Sequence, residues 1–220
     1  MFKLIKSYYF KRIILSIIPS KIELKLMKYN KSLQQLVNLS IIDYINFSGR
    51  YIKYDTNGNG KEFDIIFNNL IYEGEYINGE RSGNGVEYFH RNGEIIFEGE
   101  YKNGKRNGKG KEYDRNGNII FEGEYLNGKK WNGIGNKNNN KKYYKIEDGK
   151  GYINESDIDG IIFYEGEYTN GERNGKGREY SDNHLYFLGE YKNGKKWTGI
   201  GFNESNQPIF ILNQGKGNNI

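Results

Sequence analysis

The carboxylates are the first residues in this chain to suggest chemistry. On an extended strand Glu98 and Glu100 share one face about 7 Å apart, within reach of the paired carboxylates of a glycosidase. The pair recurs, however, as Glu73/Glu75, Glu122/Glu124 and Glu165/Glu167. Acid–base catalysis needs two environments that push two pKa values apart, and a ladder of like, solvated carboxylates offers none. Cross-strand pairing with lysine explains them better, each exposed pair contributing little. "DTNGNGKEFDII", from Asp55 to Ile66, places Asp, Asn, Asn and Gly where a calcium loop wants them. Its twelfth position is Ile66, so the closing bidentate glutamate is missing, and turn chemistry is the reading that remains.

Other reactive residues are scarce. Cysteine is absent, which excludes disulfides, thiolate metal sites and a thiol nucleophile. His90 and His184 lie in or near turns with no partner constellation. The Gly-x-Gly pairs of "GKGKEY" at Gly108 and "GIGNKN" at Gly133 lack the third glycine of a dinucleotide loop and open no helix. These residues point to no catalytic site, no cofactor and no metal, hence to a protein that is not an enzyme.

What positions such residues is a repeat. Aromatic-x-Gly-x-Tyr occurs at Phe47/Gly49/Tyr51, Tyr72/Gly74/Tyr76, Phe97/Gly99/Tyr101, Phe121/Gly123/Tyr125, Tyr164/Gly166/Tyr168 and Phe187/Gly189/Tyr191. The central glycines step by 25, 25, 24, 43 and 23 residues, and the long step hides a worn unit around "KYYKIEDGKGYI", Lys142 to Ile153. "FEGEYLNGKKWNGIG" from Phe121 returns 66 residues later as "FLGEYKNGKKWTGIG" from Phe187, each followed by a Gly-Lys-Gly. Period two puts the two aromatics and the glycine on one face and the glutamates on the other, so one face reads as aromatic and the other as acidic. Asn-Gly follows at 78/79, 103/104, 127/128, 170/171 and 193/194, the strongest short-range signal for a hairpin. A single hairpin is marginal, whereas stacked neighbours accumulate stability through local contacts. With 20 Tyr and 30 Gly, composition favours strands over helices. The expected fold is mainly β: an elongated, open antiparallel sheet of stacked hairpins over residues 47–217.

The formal charge of +5 is uneven. Residues 1–46 hold eight Lys/Arg against Glu23 and Asp43, a net +6, and the rest sums to −1. A neutral array argues against nucleic acid as a partner. The basic segment, including Lys3, Lys6, Lys11 and Arg12, reads as short helices broken at Pro19-Ser20, with Ser20 and Glu23 as a capping box. It would cap the first strand edge or contact an anionic membrane, although those four cations do not share a helical face. The apolar run "IILSII" is shorter than the ~20 residues of a membrane helix, and the chain reads as cytoplasmic, with the cytoplasmic face of a membrane as its other location.

The units resemble MORN repeats, whose form is Tyr-x-Gly-x-(Trp/Phe/Tyr)-x-x-Gly followed by Gly-x-Gly. Tyr72-Glu73-Gly74-Glu75-Tyr76-Ile77-Asn78-Gly79, then Gly83-Asn84-Gly85, matches position by position. The units of Trp131 and Trp197 depart by one extra residue before their closing Gly-x-Gly, which leaves their register open. The resemblance implies a scaffold or docking surface for other proteins, in some relatives beside phosphoinositide membranes. Candidate partner-binding residues are Tyr76, Tyr101, Tyr125, Trp131, Tyr168, Tyr191 and Trp197; candidate membrane contacts are Lys3, Lys6, Lys11 and Arg12. Residues 1–46 also resemble an F-box-like element, which implies a substrate adaptor of a cullin-type ubiquitin ligase. Open sheet ends allow end-to-end self-association.

Overall fold

A computed structural model describes residues 49–137 and 142–219. The strands are β1 (Arg50–Tyr54), β2 (Asn59–Asp64), β3 (Leu70–Ile77), β4 (Glu80–Tyr88), β5 (Ile95–Lys102), β6 (Lys105–Tyr113), β7 (Ile119–Leu126), β8 (Lys129–Lys137), β9 (Lys142–Glu147), β10 (Lys150–Ser156), β11 (Ile162–Thr169), β12 (Glu172–Ser181), β13 (His184–Lys192), β14 (Lys195–Phe202), β15 (Pro208–Asn213) and β16 (Lys216–Asn219). Each pairs antiparallel with the next, giving one open 16-stranded sheet in sequence order among the described residues. The helical segment expected over residues 1–46, and Phe47 of the first copy, lie outside them.

The Asn-Gly pairs close the hairpins as expected. Asn103 and Gly104 have φ of 52° and 73°, left-handed at both central positions, the geometry that matches strand twist. The turns are also tied to one another. Gly104 N–H donates to the Arg81 carbonyl at 2.9 Å, Gly128 N–H to that of Arg106 at 2.8 Å, and Gly194 N–H to that of Arg173 at 2.9 Å. Between hairpins the chain turns on Asx loops. Asp114 Oδ1 accepts the N–H of Asn116 and of Asn118, at 2.9 and 2.8 Å, and Asp157 and Asn203 repeat the pattern. Asp55 does the same with Asn57 and Asn59, both at 2.9 Å. The calcium-like stretch is therefore one more such turn.

The core lies on one face, here called inner. Tyr72, Phe97, Phe121, Tyr164 and Phe187 are fully buried. Each ring touches the Tyr four residues on and the corresponding Tyr of the next hairpin: Phe97 meets Tyr101 at 5.6 Å and Tyr125 at 5.2 Å, both edge-to-face. Such pairs add about 0.5–1.5 kcal/mol beyond area burial. The rings lie on glycines: a Cβ on Gly110 would come 2.5 Å from Phe97 Cζ. The core divides into a cluster running from Tyr72 to Ile153 and one of Tyr164, Phe187 and Tyr191, with Tyr168 packed against both.

Candidate interaction surfaces

The inner face is not purely aromatic, contrary to the parity expectation. Glu87 stands opposite Tyr72 on one side and Phe97 on the other, and Glu112 stands likewise between Phe97 and Phe121. Residues directly opposite in a ladder share a face, so these carboxylates enter the ring stack. The second residue after each Asn-Gly supplies the counter-charge. Arg81 donates from Nε and Nη2 to Glu62, at 3.0 and 2.8 Å, and from Nη1 to Glu87, at 3.2 Å. Arg106 spans Glu87 and Glu112 in the same way, and Arg173 spans Glu155 and Glu179. Each guanidinium also covers a ring: Arg81 lies 4.1 Å from Tyr72, Arg106 3.9 Å from Phe97 and Arg173 4.0 Å from Tyr164. Tyr76 and Tyr101 donate to Glu62 and Glu87 at 2.9 and 2.6 Å, and Tyr168 donates to Glu155.

The electrostatics of this ladder follow from burial opposed by pairing. Burial pushes the Glu87 carboxyl up, but Arg106, Tyr101 and Arg81 outweigh it and hold the group below the usual range. At Glu112, burial is outweighed by Lys130 and Arg106. Burial drives the Tyr72 hydroxyl up to about 12. These groups hold fixed charge states near neutrality and serve the fold.

The outer face is a groove. Gly85, Gly99, Gly110 and Gly123 stand opposite one another across β4 to β7 and floor a trough of about 680 Å³. Glu98, Lys111 and Glu122 line one wall and Glu100, Lys109 and Glu124 the other. The repeated carboxylates are engaged. Tyr88 donates to Glu73 at 2.6 Å and Tyr180 to Glu165 at 2.7 Å, and Tyr113 donates to Glu98. Lys61 pairs with Glu73 at 3.1 Å, and Lys111 with Glu122 at 3.4 Å. Glu75, Glu100 and Glu167 accept backbone N–H bonds from Asn84, Lys109 and Lys176. The Glu100 carboxylate fills the space beside Gly108, where φ is +107° and a Cβ would lie 2.4 Å from Oε2. Further along, the wall turns apolar: Leu188, Ile200 and Ile211 stand in one row across β13 to β15, all exposed.

The tyrosines expected to bind partners occupy different settings. Tyr101, Tyr125 and Tyr191 are buried at 4%, 4% and 3% exposure, inside the ring stack; Tyr76 and Tyr168 are half-buried against it. Trp131 and Trp197 are half-buried bulged residues at the turn edge. Their carbonyls accept the N–H of Gly149 and Gly215, both at 2.8 Å. Lys3, Lys6, Lys11 and Arg12 lie outside the described residues.

A family model described as "MORN repeat" matches residues 72–93, 97–119 and 164–185. The chain carries MORN repeats. The three matched MORN repeats are the hairpins β3–β4, β5–β6 and β11–β12, those in which an arginine bridges two glutamates. The match does not extend to residues 1–46, where the F-box-like resemblance lies. No curated protein matches the chain. Among solved structures, the S. aureus TarM G117R mutant in complex with Fondaparinux, alpha-GlcNAc-glycerol and UDP aligns at 15% identity and a TM-score of 0.31. That alignment covers 64% of this chain and 26% of that one, and a score so low bears on neither fold nor function.

Proposed function

We propose that this protein is a non-enzymatic scaffold that docks other proteins along its sheet. The observation that carries this reading is the outer groove, floored by glycine backbone and walled by alternating Glu and Lys from β5 to β7. Bare backbone admits close approach of a partner chain, and alternating charge gives it register. The carboxylates there are repeated and individually tied, so none is singled out for catalysis. Proximity labelling in the native cell, followed by binding of the captured proteins to purified chain, tests this. At least one should bind directly and lose affinity when Lys109 and Lys111 are both changed to Glu. Undiminished binding by the reversed groove, or robust turnover of a substrate, would refute the reading.

A second reading is attachment to anionic phospholipid at the cytoplasmic face of a membrane. It rests on the net +6 of residues 1–46, each cation near the surface contributing about 1 kcal/mol. Sedimentation with phosphatidylserine or phosphoinositide vesicles should fall when residues 1–46 are deleted, and equal sedimentation would exclude it.

A further inference from the structure

One position breaks the pattern of the inner ladder. Glu62 meets Arg50 and Arg81, Glu87 meets Arg81 and Arg106, Glu112 meets Arg106 and Lys130, and Glu179 meets Arg173 and Lys196. Each of these carboxylates is held by a cation from either side. Glu155 is held by Arg173 alone, with Tyr168 donating alongside. In the other hairpins the cation stands opposite the motif's second tyrosine, as Arg106 does opposite Tyr101. In β9–β10 the corresponding pair is Ile146 and Gly151. The chain cannot fill the place from there, because a Cβ on Gly151 would lie 2.4 Å from the Lys145 carbonyl oxygen.

A cavity of about 310 Å³ opens beside the vacancy, and Glu155, Asn154, Tyr144, Tyr168 and Phe163 line it. Asn154 is an independent sign. It is only 7% exposed, and its amide oxygen is buried without a partner. A buried acceptor left unpaired costs about 1–3 kcal/mol, so the cavity is short of a donor as well as a cation. Lys130 on the far wall does not repel a visitor strongly, since Glu112 neutralises it at 2.7 Å.

We propose that this cavity is a slot for a basic side chain, arginine in preference to lysine, presented by a protein partner. A guanidinium has five donors in a planar fork, enough to bond the free lone pairs of Glu155 and the Asn154 oxygen together while its faces meet Tyr144 and Phe163. The incoming side chain would restore in trans the contact that Arg81 and Arg106 make in cis. The slot opens on the face opposite the glycine-floored groove, so it stands or falls separately from docking there.

The test titrates the full chain with the capped peptide Gly-Gly-Arg-Gly-Gly, and with its citrulline counterpart, by NMR chemical shifts. The arginine peptide should show saturable shifts at Asn154, Ser156 and Gly171, and the citrulline peptide at least about tenfold weaker binding. Glu155→Gln should weaken the arginine peptide about tenfold. That change also touches Arg173, so Asn154→Leu serves as the second variant: it leaves the ladder intact, folds as well as the parent, and should weaken binding several-fold. Equal binding of the two peptides, no saturable shifts with millimolar arginine peptide, or full binding by Asn154→Leu would overturn the proposal. None of these outcomes touches partner binding lost on reversing Lys109 and Lys111.

Discussion

In the β5–β6 hairpin Glu112 stands between Phe97 and Phe121, whereas in the β7–β8 hairpin Gly135 stands between Phe121 and Tyr144. The consequence is a different ring geometry. A carboxylate in the middle keeps its flanking rings apart and draws a guanidinium across them. With glycine in that place the rings close on each other: Phe121 and Tyr144 stack at 6.4 Å and 19°. The second tryptophan hairpin repeats this, with Gly201 between Phe187 and Phe210 and those rings stacked at 6.3 Å and 16°. The extra residue of each tryptophan hairpin is the tryptophan itself, bulged at the turn edge, and it moves the glycine into the glutamate's place. Both are followed by a hairpin with no arginine, where Ile146 faces Gly151 and Leu212 faces Gly217. One repeat thus packs in two ways, one ionic and one apolar, and the family model matches only hairpins of the ionic kind.

The sharpest way to separate the two kinds is to remove a shared carboxylate. Glu87→Ala leaves Arg81 and Arg106, at 18% and 24% side-chain exposure, each without one partner, and breaking a buried pair costs about 3–5 kcal/mol. Urea unfolding should register a loss of that size, and a loss under about 1 kcal/mol would mean that the ladder behaves as surface charge. The same carboxylates set the response to acid. The folded pKa values of Glu87 and Glu112 are lowered, so their stabilisation is complete above the unfolded value of about 4.3 and is lost as pH falls through the folded values. Below about pH 4 the parent's melting temperature should therefore fall more steeply than that of Glu87→Ala.

Tyr101→Phe comes next. It deletes only the hydroxyl that donates to Glu87 at 2.6 Å, and hydrogen bonds to charged groups are worth about 1.5–3 kcal/mol. On the apolar side the matching experiment is Gly135→Ala. The added methyl would lie 1.9 Å from Tyr144 Cζ, and overpacking of this sort costs about 1–3 kcal/mol. Thermal melts of the two variants compare the hairpin types directly. If Gly135→Ala melts with the parent, the stacked rings are not what holds the tryptophan hairpins.

The repeat, the Asn-Gly turns, the hairpins and the sheet were legible because each is written in local letters. Glu98 and Glu100 were correctly placed opposite the rings, since parity within one strand decides it. Glu87 and Glu112 escaped because their position depends on pairing between strands. In β5–β6 the register shifts between Gly99 and Tyr101, so that residues 107–109 face Glu100 alone, and parity counted along the sequence loses track there. One signal was available: Arg81, Arg106, Lys130, Arg173 and Lys196 all stand two residues after an Asn-Gly, a column of cations that a solvated strand would not need. The tryptophans were matched to each other by their 66-residue echo, but their bulge, and the glycine it brings between rings, required coordinates.

The smallest effect tests whether the ring position belongs to the apolar part of the design. Tyr72 and Tyr164 occupy the place that Phe97, Phe121 and Phe187 fill elsewhere, and their hydroxyls are buried without a partner. A hydroxyl so placed has lost water and gained nothing in return. Tyr72→Phe should therefore leave stability within about 0.5 kcal/mol of the parent or raise it, in contrast to Tyr101→Phe four strands of contact away in effect though adjacent in space at 5.1 Å. It should also remove an alkaline liability: the folded Tyr72 pKa is raised to about 12 from an unfolded value of about 10. That contribution is whole below the unfolded value and lost as pH rises through the folded one. The phenylalanine variant should hold its melting temperature better than the parent between about pH 10 and 12, and a parallel decline would show that the Tyr72 hydroxyl does not titrate with unfolding.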